Sequence, residues 1–109
     1  RRIIEQAIAF MDVNALSMRF SDWNSQTVNR DHAGYRKQEG SIDEYWIIPV
    51  VFENEVCKGY SQRKVCEVLH NHEWLKKAEN GRWQHQRKRN GVASRFYVLM
   101  EEAPPDFDE

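Results

Sequence analysis

Between Ser61 and Gly91 the chain gathers the side chains best suited to chemistry, SQRKVCEVLHNHEWLKKAENGRWQHQRKRNG. Two chemistries are open to them. The first is metal ligation. Cys66 and His70 stand one helical turn apart, and Cys57 and His72 are near in sequence, so thiolate and imidazole are on hand for zinc. The stretch has no CxxC and no HxxxH pair, and Cys66 borders an apolar stripe, where a free cysteine behaves as a small hydrophobe. Core cysteines are the better reading, His70 and His72 are surface or turn residues, and no metal site is expected. The second chemistry is polyanion binding. From Lys58 to Arg95 there are ten basic residues (Lys58, Arg63, Lys64, Lys76, Lys77, Arg82, Arg87, Lys88, Arg89, Arg95) against the three acids Glu67, Glu73 and Glu79. That local charge of +7 sits in a protein of net charge −1, so the remainder carries −8. Such a split points to a polyanion-binding face on an acidic body.

Within this stretch the residue types suggest a division of labour. Gln62, Arg63 and Lys64 fall in the first turn of an expected helix, and Gln and Arg are side chains that read base edges bidentately. Lys76, Lys77, Arg82, Arg87, Lys88 and Arg89 supply charge for phosphates, with Arg87-Lys88-Arg89 at a hairpin end able to reach the backbone or a minor groove. Gln84, His85 and Gln86 add polar contacts. Alanine at Arg87, Lys88 and Arg89 is expected to flatten the salt dependence of binding by about 3 units or less. The competing reading is a solvated hairpin surface, and a sequence pI near 6.5 argues against strong non-specific binding at physiological salt. Catalysis has no comparable support: the chain contains no P-loop, dinucleotide fingerprint, nucleophile elbow or HExxH, and no spacing selects a triad. No catalytic residue, cofactor or small-molecule substrate is expected, and this chain is not expected to be an enzyme.

The elements that must position these residues follow from periodicity. Arg1 to about Asp12 reads as a helix, with Ile3, Ile4, Ala7, Ile8 and Met11 on one face. That face is wide: it is expected to pack on the domain's own core, the alternative being that part of it packs on an upstream segment. Phe20 marks a short extended piece, Ser17 to Ser21, followed by a polar stretch to His32 anchored by Trp23 and Val28. A β-hairpin runs from Gly34 through a turn at Glu39-Gly40-Ser41 and returns along Tyr45 to Ile48. Pro49 opens a helix to about Cys57, with Phe52 and Val56 on its buried side and Gly59 after its end. Ser61 caps the next helix, Gln62 to Asn71, whose core stripe is Val65, Val68 and Leu69. Trp74-Leu75 closes over the core, and Asn80-Gly81 is a turn. Arg82 to Arg89 and Ser94 to Met100 form strands joined at Asn90-Gly91, one face of the second strand packing inward.

Helix, turn, helix and two-stranded wing is the order of a winged-helix domain. The expected fold is therefore α+β, a winged-helix-like domain with a basic hairpin wing, an N-terminal helix and an additional β-hairpin. It occupies residues 1–100 as one domain, with an acidic flexible tail at 101–109. In the tail, Asp106-Phe107-Asp108 is similar to the acidic aromatic tails with which single-stranded DNA-binding proteins recruit partners. No run of about 18 apolar residues is present, which excludes a membrane-spanning helix. Two cysteines without a framework spacing suggest a reducing, cytoplasmic setting. The opening Arg1-Arg2-Ile3, without an initiator Met, suggests a piece of a longer chain.

With those elements placed, the chain resembles the C-terminal segment of phage- and mobile-element-borne primase/helicase proteins, the superfamily II helicases and their inactivated derivatives. The resemblance rests on the N-R-x-x-A-G-Y-R run (Asn29, Arg30, Ala33, Gly34, Tyr35, Arg36), then Y-W-I-I-P-x-V-F (Tyr45 to Phe52) and E-V-C-K-G-Y (Glu55 to Tyr60). The Gln62 to Leu69 helix, H-E-W-L (His72 to Leu75) and R-F-Y-V (Arg95 to Val98) follow. It spans most of Phe20 to Met100, and the E-V-C-K-G-Y block is its most specific piece. The spacing between Asn29 and Gly34 is longer than the family's compact run. The resemblance implies an ATPase-like core upstream, mobile-element DNA replication as the context, and no catalytic residues in this segment. The resulting expectation is an accessory domain that binds duplex or forked DNA for that core. The alternative is a winged helix that docks on the core or a replication partner without touching DNA, through the first helix and a surface around Ile4, Ile8 and Trp23.

Overall fold

A computed structural model describes residues 2–26, 30–40 and 42–102. Val28, Asn29, Ser41 and the tail beyond Glu102, Phe107 included, lie outside the described residues. The chain forms α1 (Arg2–Asn14), β1 (Phe20–Asp22), β2 (Gly34–Glu39), β3 (Ile42–Ile47) and α2 (Pro49–Val51), which continues as a π turn (Phe52–Val56). Then come α3 (Gln62–Asn71), β4 (Leu75–Lys76), β5 (His85–Arg89) and β6 (Val92–Met100). The architecture is α+β, three helices against a mixed sheet in the order β1-β2-β3-β6-β4, with β5 also paired to β6. Only β1 and β2 run parallel among the described pairs.

The helical layer forms because each helix carries an apolar stripe that water disfavours. Ile3, Ile4, Ala7, Phe10 and Met11 of α1 are buried with Phe52 and Val56 of the π turn and Val65, Cys66 and Leu69 of α3. The wide face of α1 is thus used within this domain. Pro49 sits in the first turn of α2, where its missing N–H removes no bond. The Gln6 side chain of α1 donates to the carbonyls of Val56 and Lys58 at 2.8 and 2.9 Å, satisfying the end of the π turn. Ser61 caps α3 by accepting from the Lys64 N–H at 3.1 Å.

The sheet departs from the expected one-sided pattern. On β6, Phe96, Tyr97, Val98 and Leu99 are all buried. Tyr97 and Leu99 face the helices, where Tyr97 stacks on Phe52 with ring centroids 4.1 Å apart. Phe96 and Val98 join Trp46 in a second core on the other face, covered by Trp23 and Tyr35. Trp23 follows β1 and lies 5.3 Å from Trp46 and 5.7 Å from Phe96, roofing that face. Alternation separates Phe96 and Val98 from Tyr97 and Leu99, although Met100 breaks it by packing against the main core, and the loop carrying Trp23 decides that both faces are covered.

Two further boundaries shift for local reasons. The strand expected over Arg82 to Arg89 begins at His85, because Asn80 Oδ1 accepts the Arg82 N–H and Arg82 O accepts from Ala78, which keeps this segment in the turn. At the other end of β5, Asn90 and Gly91 have φ of 54° and 82°. Two successive left-handed residues make the tight turn whose twist matches a β-hairpin, as Asn-Gly requires.

Candidate nucleic-acid interface

The basic residues do not share one surface. Lys76, Lys77, Arg82 and Arg87 meet Arg95 around a groove of about 690 Å³, which Gln62, Trp83, Gln84, Gln86 and Tyr97 also line. The groove lies between the start of α3 and the β4–β5 connection with its following hairpin. One acid, Glu79, stands among these lining residues. Five cations against one carboxylate make the groove a positive site within an acidic protein.

Its cations differ in how free they are. Arg82 and Arg95 are exposed and have no side-chain partner among the described residues. Arg87 is exposed and lies over the Trp46 ring, 5.1 Å from the centroid. The Lys77 ammonium rests 4.6 Å from the Trp83 centroid. Lys76 is half-committed: its Nζ donates to Glu44 Oε2 at 2.7 Å, and Glu44 also accepts from Trp46 Nε1 at 2.9 Å. Glu44 is 1% exposed, so Lys76 supplies the counter-charge that a buried carboxylate needs.

Tyr97 Oη organises the inner wall. It accepts from Gln62 Nε2 at 2.7 Å and Gln84 Nε2 at 3.1 Å, and donates to Glu53 Oε2 at 3.0 Å. Burial pushes its pKa up to about 12, so it stays a neutral phenol that can donate. Gln62 was expected to offer its amide to base edges; its N–H₂ instead ties α3 to β6. The cause is burial of Tyr97, whose hydroxyl needs partners there.

The other expected contact residues fall elsewhere. Arg63 is exposed and pairs with Glu67 one turn along at 3.3 Å. Lys64 and Lys88 are exposed, outside the groove lining. Arg89 is a structural residue. Its guanidinium donates to the carbonyls of Trp23 and Ser25 and lies 3.9 Å from the Tyr35 ring centroid, so it fastens the roof of the second core. Replacing Arg89 by Ala is expected to destabilise the fold by about 2 kcal/mol through these charge-assisted hydrogen bonds and the cation–π contact. A urea midpoint that does not move would show that the roof holds without it.

Three residues of the groove were not singled out from sequence as contact residues. Arg95 was counted only as charge. Tyr97 stood only as a position in the expected strand Ser94 to Met100. Trp83 had a usable signal, a tryptophan in the otherwise polar run Gly81-Arg82-Trp83-Gln84, which the expected strand Arg82 to Arg89 absorbed. It is partly buried against the main core and meets the His70 ring edge-on at 5.6 Å.

The sulfur and imidazole groups are inert in this arrangement. Burial pushes the thiols of Cys57 and Cys66 up to about 12, which suppresses the thiolate that metals and electrophiles need. His70 Nδ1 is 3.0 Å from Leu75 O and His72 Nδ1 is 3.0 Å from Val68 O. Among the described residues no group of His, Cys, Asp and Glu is arranged to hold a metal ion. His85 is buried, and its Nε2 must carry the proton because its partner 2.8 Å away is the Lys76 carbonyl.

These environments set a pH dependence. The pKa of His85 is lowered, first by burial, and that of His32 is lowered for the same leading reason. The unfolded chain therefore binds protons more readily between those depressed values and the ordinary 6.5. Glu55 works lower on the scale. Arg19 donates to both its oxygens at 2.9 and 2.8 Å, and these bonds hold its pKa below the ordinary 4.5. Its contribution is full above 4.5 and lost as pH falls through the folded value. Urea midpoints are expected to decline as pH falls from about 7 through the histidine window, and to decline again below 4.5 as Glu55 is protonated; a midpoint that stays level from pH 7 to pH 5 would contradict the histidine part.

Comparison with protein-family models, curated sequences and solved structures returns no match to this chain. No helix among the described residues is long and apolar enough to cross a membrane.

Proposed function

We propose that this chain is a DNA-binding accessory domain of winged-helix type, serving a mobile-element primase/helicase. The observation that carries the binding reading is the groove, where Lys76, Lys77, Arg82, Arg87 and Arg95 converge beside α3. The topology supports the winged-helix reading: α2 with its π turn, α3, then β4, β5 and β6, with β6 between β3 and β4 in the sheet. Phosphates bind the guanidinium groups of Arg82 and Arg95 and that of Arg87, which otherwise donates to the Gln86 carbonyl, with Lys77 joining them. Lys64 and Lys88 add charge outside the groove. Residues of the E-V-C-K-G-Y block are structural here: Glu55 clamps Arg19, and Val56 and Cys57 are core.

Titration with labelled duplex and forked DNA at several salt concentrations tests this reading. Affinity is expected to fall steeply and log-linearly with salt. Absence of salt-sensitive binding to every DNA form at low ionic strength would sink it.

A second reading, docking on a protein partner, is favoured by one observation. Val13, Leu16 and Met18 at the end of α1 and just after it are 74, 85 and 74% exposed. The docking surface expected around Ile4 is corrected by the same measure, since Ile4 is 1% exposed and belongs to the core. Charged substitutions at Leu16 and Met18 should leave DNA affinity unchanged and weaken only a protein contact.

A further inference from the structure

The groove contains more than a duplex phosphate backbone requires. A duplex needs cations on a surface, whereas this site is concave and places an aromatic ring and three glutamine side chains among its cations. Its volume of about 690 Å³ lies within the roughly 300–1,000 Å³ typical of small-ligand sites, a size that suits a nucleotide. Trp83 is only partly buried, and the contact over its ring is the Lys77 ammonium at 4.6 Å. A lysine on a flexible stem leaves such a position readily, and a planar base that replaces it gains stacking while the ammonium turns to phosphate. Gln62 and Gln84 each donate N–H₂ to Tyr97 Oη, and their Oε1 atoms have no partner among the described residues. Those carbonyls accept from N–H groups on a base edge, which Watson–Crick pairing would otherwise occupy.

We propose that the groove captures an unpaired nucleotide of a DNA strand, its base stacked on Trp83 and its flanking phosphates on Arg82, Arg87 and Arg95. This rests on the DNA-binding reading and narrows it from duplex in general to forks and single-stranded segments. Inside a double helix both faces of a base are stacked on its neighbours, so an internal paired base is barred from the indole, whereas an unpaired base can lie on it. Glu79 at the groove disfavours any pose that brings a phosphate to it.

Fluorescence anisotropy with one sequence presented as a single strand, a fork and a blunt duplex, with the free mononucleotide as competitor, tests the proposal. The wild-type chain should bind the single strand and the fork about 10-fold more tightly than the blunt duplex. Trp83→Ala should remove that preference, bringing single-strand and fork affinity down to that for the blunt duplex. Tryptophan emission should be quenched by the single strand, and less so in Trp83→Phe. Should Trp83→Ala fail to fold, the quench difference between wild type and Trp83→Phe decides the matter. Equal wild-type affinity for fork and blunt duplex, or equal quenching in Trp83→Phe, overturns the proposal while leaving DNA binding intact. Competition by the free mononucleotide at the affinity of the strand overturns its strand-bound form. Salt-insensitive or absent binding of all three DNA probes removes the DNA reading itself.

Discussion

Replacing Arg82, Arg87 and Arg95 together by Ala is expected to abolish most of the salt dependence of DNA binding. The reasoning is electrostatic. Each phosphate neutralised on duplex DNA contributes about −0.9 to the slope of log affinity against log salt. Arg82, Arg87, Arg95 and Lys77 are the groove cations not held by a carboxylate, whereas Lys76 is neutralised by Glu44. Four such contacts give a slope near −3.6, so a fourfold rise in salt weakens binding about 150-fold. With Lys77 alone the slope is near −0.9, and the same change costs only about 3- to 4-fold. Arg82 and Arg95 are exposed with no side-chain partner among the described residues, and Arg87 is exposed but lies over the buried Trp46 ring, so the triple variant should fold with a urea midpoint lowered only by the loss of that cation–π contact, about 1 kcal/mol. Parallel titrations of the two proteins across salt measure both slopes. Slopes that agree would place the phosphate contacts elsewhere, with Lys64 and Lys88 the next cations to test. The sequence-based alternative, alanine at Arg87, Lys88 and Arg89, is a poorer probe, because Arg89 holds the Trp23 loop and its loss mixes unfolding with weakened binding.

The second large effect is on stability, at Gly34. This residue opens β2, pairs in parallel with Phe20 of β1 and opposite Ile47 of β3, and follows the fully buried Ala33. A Cβ built on Gly34 would lie 2.1 Å from the Trp46 carbonyl oxygen and 3.0 Å from Ile47 Cα. Both are backbone atoms, so no rotamer change relieves the clash, and β2 must separate from β3 where the two cores meet. Gly34→Ala is therefore expected to cost at least about 3 kcal/mol, the upper end of ordinary overpacking. That is a large part of the roughly 5–15 kcal/mol that stabilises a typical domain. Gly40→Ala is the control. Gly40 has φ of 65°, and a methyl group added there would meet nothing within 4 Å, so it should cost only about 1 kcal/mol from backbone conformation. Urea unfolding of the two variants separates the cases, and equal midpoints would refute the steric account.

The helices, the turns and most strand positions follow from local chemistry, which is why they are legible in sequence. Ser61 before an i, i+3, i+4 stripe specifies a capped helix wherever the rest of the chain lies. Asn90-Gly91 specifies a tight hairpin because both residues tolerate positive φ. Pro49 and the spacing of Phe52 and Val56 mark a helical segment, although the extra residue of its π turn has no local signature. The burial of Cys66 followed from its position beside the stripe, and that of Cys57 from the general tendency of free cysteines to be buried.

What sequence left undetermined depends on contacts between residues far apart in the chain. Arg89 and Arg87 are two positions apart on β5, yet one fastens the Trp23 loop and the other borders the groove, because the aromatic roof comes from residues 66 positions away. Gln62 and Tyr97 meet only because α3 packs across β6, and that meeting commits the Gln62 N–H₂ to the Tyr97 hydroxyl and leaves its carbonyl oxygen as the atom open to a base edge. Charge composition by itself determined that the segment from Lys58 to Arg95 carries a strong positive excess, since charges are additive along the chain, but not that its cations share a face. Tertiary structure decided which of those charges are free, because that depends on whether the fold brings a carbonyl, a carboxylate or a ring to each one.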